Sequence, residues 1–338
     1  MPIAIRNATA LFALGILAAC GGGGGGSASS AAPAAVSTAT LSASNQTVAS
    51  QDVAATALGL FGTSQTALGA VTANESGAYA EAFAQLDRLP TYITDAHANA
   101  VAVGAVQSQT YSCPSGGGYT ISVTDADNSG TASAGDSFAA VYSNCNSGSG
   151  VLNGLLSFRI DALSGSYGAL QSTVGVTMSF GNFTLTASTY SASINGALSV
   201  AGSKTGVNAF SQNISTSSLS ASATYGSVTR SRTLSNYSAT ETRTPDASAT
   251  YLSQYSVGGT ISSTGFAGTQ AVSFSTPTPL VRRASDAYAY TGSLLITGAN
   301  NSALRLTALS NALVREDLDA NGDGVFESTS TVAWNSLL

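Results

Sequence analysis

The sequence predicts an α+β protein, in which an N-terminal helical cap precedes a large antiparallel β meander of about twelve strands, either a curved sheet or a partly closed barrel. Three observations carry this prediction. Between residues 45 and 106, apolar side chains recur at helical spacing in an Ala-rich background. From residue 107 to residue 338 the period changes to two, and Ser, Thr, Tyr, Val and Phe become the main residues. Short Gly- and Asn-containing turns separate these runs, and strands joined so closely must be antiparallel.

The chain opens with one positive charge, Arg6, and an apolar run from Ala8 to Ala19. At 1.5 Å per residue that run is too short to span a bilayer, so residues 1–19 read as a signal peptide that is removed. Its end, Leu17-Ala18-Ala19-Cys20, resembles the lipobox of bacterial lipoproteins. The resemblance implies acylation of Cys20 as the new N-terminus, and Gly21 in place of Asp after it implies transfer to the outer membrane. Six glycines, Gly21 to Gly26, and Ser/Ala-rich sequence follow, so residues 20–44 read as a flexible tether. Its typical reach is roughly 25–30 Å.

Within residues 45–106, Leu58 with Phe61, Leu68 with Val71, and Tyr79 with Phe83 and Leu86 each fall on one helix face. Pro90 stops the third segment, and Thr94-Asp95 caps a fourth that runs through Val101. The lone histidine, His97, belongs to this part and reads as an exposed helix residue. With Cys20 acylated, two cysteines remain, and an even remainder in an exported chain points to a Cys113–Cys145 disulfide. Two strand-like runs, Tyr119–Val123 and Ser137–Tyr142, lie between them, so the bond would close the open end of a hairpin.

The most regular hairpin predicted is Thr173 to Thr189, turning at Gly181-Asn182 with Phe180 opposite Phe183. Further turns are expected at Asn195-Gly196, Lys204 to Gly206, Tyr225 to Ser227, Gly258-Gly259, Gly265 to Gly268 and Asn300-Asn301. Pro277 and Pro279 should close a strand or lie at an edge, and Pro245 marks a loop.

Charged residues make up only 8% of the chain, with net charge −6 and a single lysine, Lys204. Without a Lys/Arg stripe, nucleic acid is excluded as a partner, and so is docking on anionic headgroups through protein charge. The expected membrane contact is the lipid on Cys20. Acidic residues concentrate in two windows. In Asp125 to Asp136, oxygen-bearing groups stand at positions 1, 3, 5, 9 and 12 (Asp125, Asp127, Ser129, Ser133, Asp136), with Gly130 at 6 and the Thr131 carbonyl at 7. This spacing resembles the calcium loop of EF-hand and related motifs, although its last ligand is Asp and its flanks are strands. The second window, Asp317 to Ser328, opens alike with Asp317, Asp319, Asn321 and Asp323, but its Glu327 comes one position early. Both windows have an alternative reading as plain acidic turns, since Asp, Asn and Gly favour turns for backbone reasons.

Catalysis finds little in the sequence. One histidine leaves no histidine-dependent triad, and Gly21 to Gly26 lacks the flanking elements of a phosphate loop. Carboxylates from among Asp161, Glu241, Asp246 and Asp286 would serve a glycosidase only if the fold paired them. The C-terminal stretch, with Asn321-Gly322-Asp323-Gly324 ahead of Thr331 to Trp334, is similar to exported lipoproteins of Gram-negative bacteria. The functional expectation is a non-enzymatic structural or adhesive component of the outer membrane or cell surface. The alternative is a carrier that holds a lipid or other apolar ligand against the curved sheet.

Overall fold

The computed structural model describes residues 36–60, 106–148, 150–165 and 171–337. The signal peptide, Cys20, His97 and the helices expected between residues 61 and 105 lie outside the described residues. Among the described residues there are one α-helix, α1 (Gln46–Gly59), and fourteen strands: β1 (Val106–Ser112), β2 (Gly118–Thr124), β3 (Ser137–Asn146), β4 (Val151–Ser164), β5 (Ser172–Thr186), β6 (Tyr190–Gly206), β7 (Ala209–Tyr225), β8 (Val228–Asp246), β9 (Thr250–Ser263), β10 (Gln270–Arg283), β11 (Thr291–Thr297), β12 (Ala303–Ala308), β13 (Leu313–Asp319) and β14 (Ser328–Ala333). They form one sheet in sequence order, every neighbour antiparallel, with β1 and β14 unpaired to each other. The α+β meander is therefore an open sheet of fourteen strands, where the sequence suggested about twelve and left closure undecided.

The central strands are longer than the turn signals suggested. The expected turn at Gly181-Asn182 lies inside β5, a single strand of 15 residues. There the register against β6 jumps from Phe180↔Gly196 to Phe183↔Ile194, three residues on one strand against two on the other, which is a β-bulge. Asn182 takes φ 47° at the bulge, and Gly154 on β4, having no side chain, leaves room for the Asn182 carbonyl. The extra residue brings Phe180 and Phe183 to one buried face, but in the same strand and not across a hairpin. Asn195-Gly196 and Gly258-Gly259 likewise fall inside β6 and β9 beside register shifts. Pro277 and Pro279 stand in β10 where its pairing with β9 and β11 is interrupted, a position that tolerates a missing N–H. Pro245 is the penultimate residue of β8 and pairs with Tyr251. The turns at Tyr225 to Ser227, Gly265 to Gly268 and Asn300-Asn301 connect strands as the sequence implied, whereas Lys204 to Gly206 still belongs to β6 and the chain reverses just after it, at Val207-Asn208.

One face of the sheet is apolar. Along β8 the buried series Leu234, Tyr237 and Ala239 continues sideways into Ile214 on β7 and Val257 and Ile261 on β9. The opposite face carries hydroxyl pairs at directly opposed positions: Ser108 with Ser122 at 2.8 Å, Thr110 with Thr120 at 3.0 Å, and Ser203 with Ser211 at 3.1 Å. Such cross-strand pairs each contribute a few tenths of a kcal/mol, up to about 1.

Helix α1 packs on the apolar side against β9, β11 and β12, and buries Ala49, Val53 and Ala54 completely. Two polar clamps fix its position. Asp52 is fully buried and accepts from Arg232 Nε at 2.9 Å and Nη2 at 2.8 Å, while Ser263 donates to its second oxygen. Ser50 donates to Glu316 on β13, which also accepts from Ser330 at 3.2 Å.

Ahead of the helix, residues 36–41 form a strap. Thr38 bridges Ala271 of β10 in parallel, Ala39 N donates to Ala271 O at 2.8 Å, Ala299 N donates to Ala39 O at 2.7 Å, and Leu41 N donates to Ser302 Oγ at 2.9 Å. Ala39 and Leu41 are completely buried. The expected tether ran to residue 44; its last nine residues are instead built into the fold, because these backbone groups find partners where β10 and β11 part.

Cys113 and Cys145 are bonded, Cα to Cα 5.3 Å apart, across the open end of the β2–β3 hairpin. In the chain-entropy account, closing a loop of this length contributes about 3–4 kcal/mol.

Candidate metal centres

The β2–β3 connection carries the first acidic tip. Asp125 and Asp136 are buried and Asp127 is exposed, and one carboxylate oxygen from each lies within 4.8 Å of the other two. Backbone amides hold this arrangement. Ser129 N donates to Asp125 Oδ1 and to Asp127 Oδ1, both at 3.1 Å, and Gly130 N donates to Asp125 Oδ2 at 2.8 Å. Asp136 closes the loop by accepting from Ala126 N at 2.8 Å and Ser133 N at 2.7 Å. Burial pushes the Asp136 carboxyl above its ordinary value and the Asp125 charge adds to this, against the two amide bonds. Asp127 lies below its ordinary value, chiefly because the Ser129 hydroxyl bonds to it.

The β13–β14 connection repeats the plan. Asp319, Asp323 and Glu327 bring carboxylate oxygens within 4.8 Å of one another. Asp319 accepts from Gly322 N at 2.6 Å and Gly324 N at 2.8 Å, and Glu327 accepts from Ala320 N at 2.9 Å. In both tips the first Asp accepts from a glycine amide five residues on, Gly130 or Gly324, each at positive φ. In both, the closing carboxylate accepts from the alanine that follows the first Asp.

This geometry corrects the sequence reading of the second window. Asp317 does not belong to the tip. It sits in β13, accepting from Arg305 Nη2 at 3.0 Å, Arg315 Nε at 3.1 Å and Thr329 Oγ1 at 2.9 Å, with Phe326 stacked 4.3 Å from the Arg305 guanidinium. Burial raises its carboxyl, but the bonds from Arg305, Thr329 and Arg315 outweigh this and hold it below the ordinary value. The loop starts two residues later, at Asp319, and Glu327 is the residue the first count misplaced. The signal was the Asp323-Gly324 pair. Counted from Asp319, it puts glycine at position 6, as Gly130 stands in the first tip. Asn321 lies in the loop, accepting from Asp323 N at 2.8 Å and donating to Asp323 Oδ2 at 3.1 Å. Ser129 and Thr131 are at the first tip, where the Ser129 hydroxyl donates to Thr131 O at 2.9 Å.

Three clustered carboxylates repel one another, and oxygen-only ligands suit a hard divalent cation such as calcium. The carboxylates weighed for catalysis are engaged separately: Asp161 with Arg159, Glu241 with Arg243 and Gln212, Asp246 with Ser248, and Asp286 with Arg283 and Asn311. The Glu241–Arg243 pair is buried, its guanidinium held between Phe210 and Tyr251 at 4.3 and 4.4 Å.

No protein-family model, curated protein or solved structure matches the chain.

Proposed function

We propose that this chain is an outer-membrane lipoprotein, anchored through Cys20, that acts as a non-enzymatic structural or adhesive component of the envelope and takes calcium at two hairpin tips. The observation that carries the calcium reading is the duplication: two tips far apart in sequence gather three carboxylates each on the same hydrogen-bonding plan. The anchor rests on Leu17 to Cys20 and the glycine run. The hydroxyl-rich, charge-poor sheet face favours a surface component, and the complete burial of Ala49, Val53 and Ala54 of α1 favours it over a carrier of apolar ligands.

With three carboxylates per tip, affinity should sit near the range of about 10⁻⁴–10⁻³ M typical of extracellular modules. At tenfold the dissociation constant, each site contributes roughly 1.4 kcal/mol if the unfolded chain does not bind. Thermal melts of the full mature chain in millimolar calcium and in chelator should differ accordingly. Asp125→Ala with Asp127→Ala should remove the share due to the first tip. Coincident melts would reject the calcium reading, and a Cys20→Ala chain still retained in the membrane fraction would reject the anchor.

A further inference from the structure

An Asn-Gly peptide is open to attack by the glycine nitrogen on the asparagine side chain, because glycine places no Cβ beside that nitrogen. The chain has three such dipeptides, Asn153-Gly154, Asn195-Gly196 and Asn321-Gly322, and the fold treats them differently. Asn153 and Asn195 stand in β4 and β6, with their side-chain carbonyls tied to neighbouring strands. Asn153 Oδ1 accepts from Asn144 N at 2.7 Å, and Asn195 Oδ1 accepts from Asn182 N at 3.3 Å. Gly154 and Gly196 are themselves paired, with Tyr142 of β3 and Leu219 of β7.

Asn321 is exposed in the β13–β14 tip, and its side chain is folded back along its own chain. Its Oδ1 accepts from Asp323 N at 2.8 Å, which closes a ring that includes the Gly322 nitrogen. The Gly322 N–H in turn donates to Asp319 Oδ1 at 2.6 Å. Gly322 takes φ 78° and rests on the Asn300 carbonyl at the corner between β11 and β12, where a Cβ would collide, so the peptide is held in this position. Three groups needed for one reaction therefore meet: a nitrogen without a bulky neighbour, a carboxylate on its proton, and an amide donor on the carbonyl it would attack.

We propose that Asn321 is a site of self-modification, at which the Gly322 nitrogen attacks Asn321 Cγ and the side-chain amide becomes a carboxylate by way of a cyclic imide. As the N–C bond forms, the Gly322 amide proton passes to Asp319, and the charge that develops on Oδ1 is met by the Asp323 N–H. The bond from Cγ to Nδ2 then breaks. The nitrogen leaves as ammonia, taking up through solvent the proton that Asp319 accepted. Water opens the imide at either carbonyl and leaves aspartate or its β-linked isomer at position 321, so the net change is amide plus water to acid plus ammonia. The product adds a carboxylate to the three already gathered at this tip. It stands third from Asp319, as Asp127 stands third from Asp125 in the other tip.

Peptide mapping by mass spectrometry tests this on the full mature chain, incubated folded and, for reference, in concentrated urea. Both samples contain chelator, so the result does not depend on calcium. Conversion at Asn321 should be several-fold faster in the folded chain than in urea, while Asn153 and Asn195 convert more slowly folded than unfolded. Asp319→Asn should slow conversion at Asn321 several-fold, and Asp319→Glu, which keeps a carboxylate, should recover part of the rate. Circular dichroism confirms that both variants are folded. Conversion at Asn321 no faster in the folded chain than in urea, or equal rates in the original chain and both variants, overturns the proposal.

Discussion

Gly322 and Gly226 take positive φ values of 78° and 59°, yet their surroundings differ. A Cβ on Gly322 would meet the Asn300 carbonyl, whereas one on Gly226 would meet nothing within 4 Å. Gly226→Ala should therefore cost about 1 kcal/mol, the backbone term alone. Gly322→Ala should cost at least about 2 kcal/mol, because the tip must also move off Asn300. Urea titrations of the two variants check the difference, and equal midpoints would mean that the second tip does not rest on that corner. Asp317 offers a pH test. Its carboxyl lies below the ordinary 3.8, so its contribution is present above about pH 4 and is lost as pH falls through the depressed folded value. Asp317→Asn should flatten the acid limb of stability below pH 4 and leave the profile near neutrality parallel to the original. Spacing alone could not separate Asp317 from Asp319, since both begin an alternating acidic run. The separation came from Arg305, which pairing of β12 with β13 sets opposite Asp317, together with Arg315 two residues before it on β13.

At the scale of elements, β2, β3 and the disulfide between their outer ends were legible, because alternation and cysteine count address the same hairpin. The interior of the sheet was less so. Gly-Asn, Asn-Gly and Gly-Gly report a demand for unusual φ, and both turns and bulges make that demand. Asn182 and Gly196 therefore read as chain reversals although they bend β5 and β6 without ending them. The docking of α1 was also hidden, for its partners Arg232, Ser263 and Glu316 lie 180, 211 and 266 residues away from the groups they bind. That docking gives a prediction. Asp52→Ala leaves Arg232 buried without its carboxylate and should cost about 3–5 kcal/mol, while Ser50→Ala, which removes one hydroxyl bond to Glu316, should cost about 1–3 kcal/mol. Denaturant midpoints decide it. Equal, small losses would mean that the helix is held by its apolar side alone.

For the whole molecule, the period-two pattern after residue 107 was enough to specify an antiparallel meander, since short connections admit no other pairing. Openness was not legible, because closure depends on whether β1 meets β14, and neither strand carries a residue that marks its free side. The two acidic tips were visible as compositional features, but their kinship emerged only from the shared amide bonds to Asp125 and Asp319 and to Asp136 and Glu327. That kinship is the central claim, and calorimetric titration of calcium into the full mature chain addresses it most directly. The account predicts two weak sites, one lost in Asp125→Ala with Asp127→Ala and the other lost in Asp319→Ala with Asp323→Ala. A titration with no binding heat, or with the same site count in both variants as in the original chain, would contradict it.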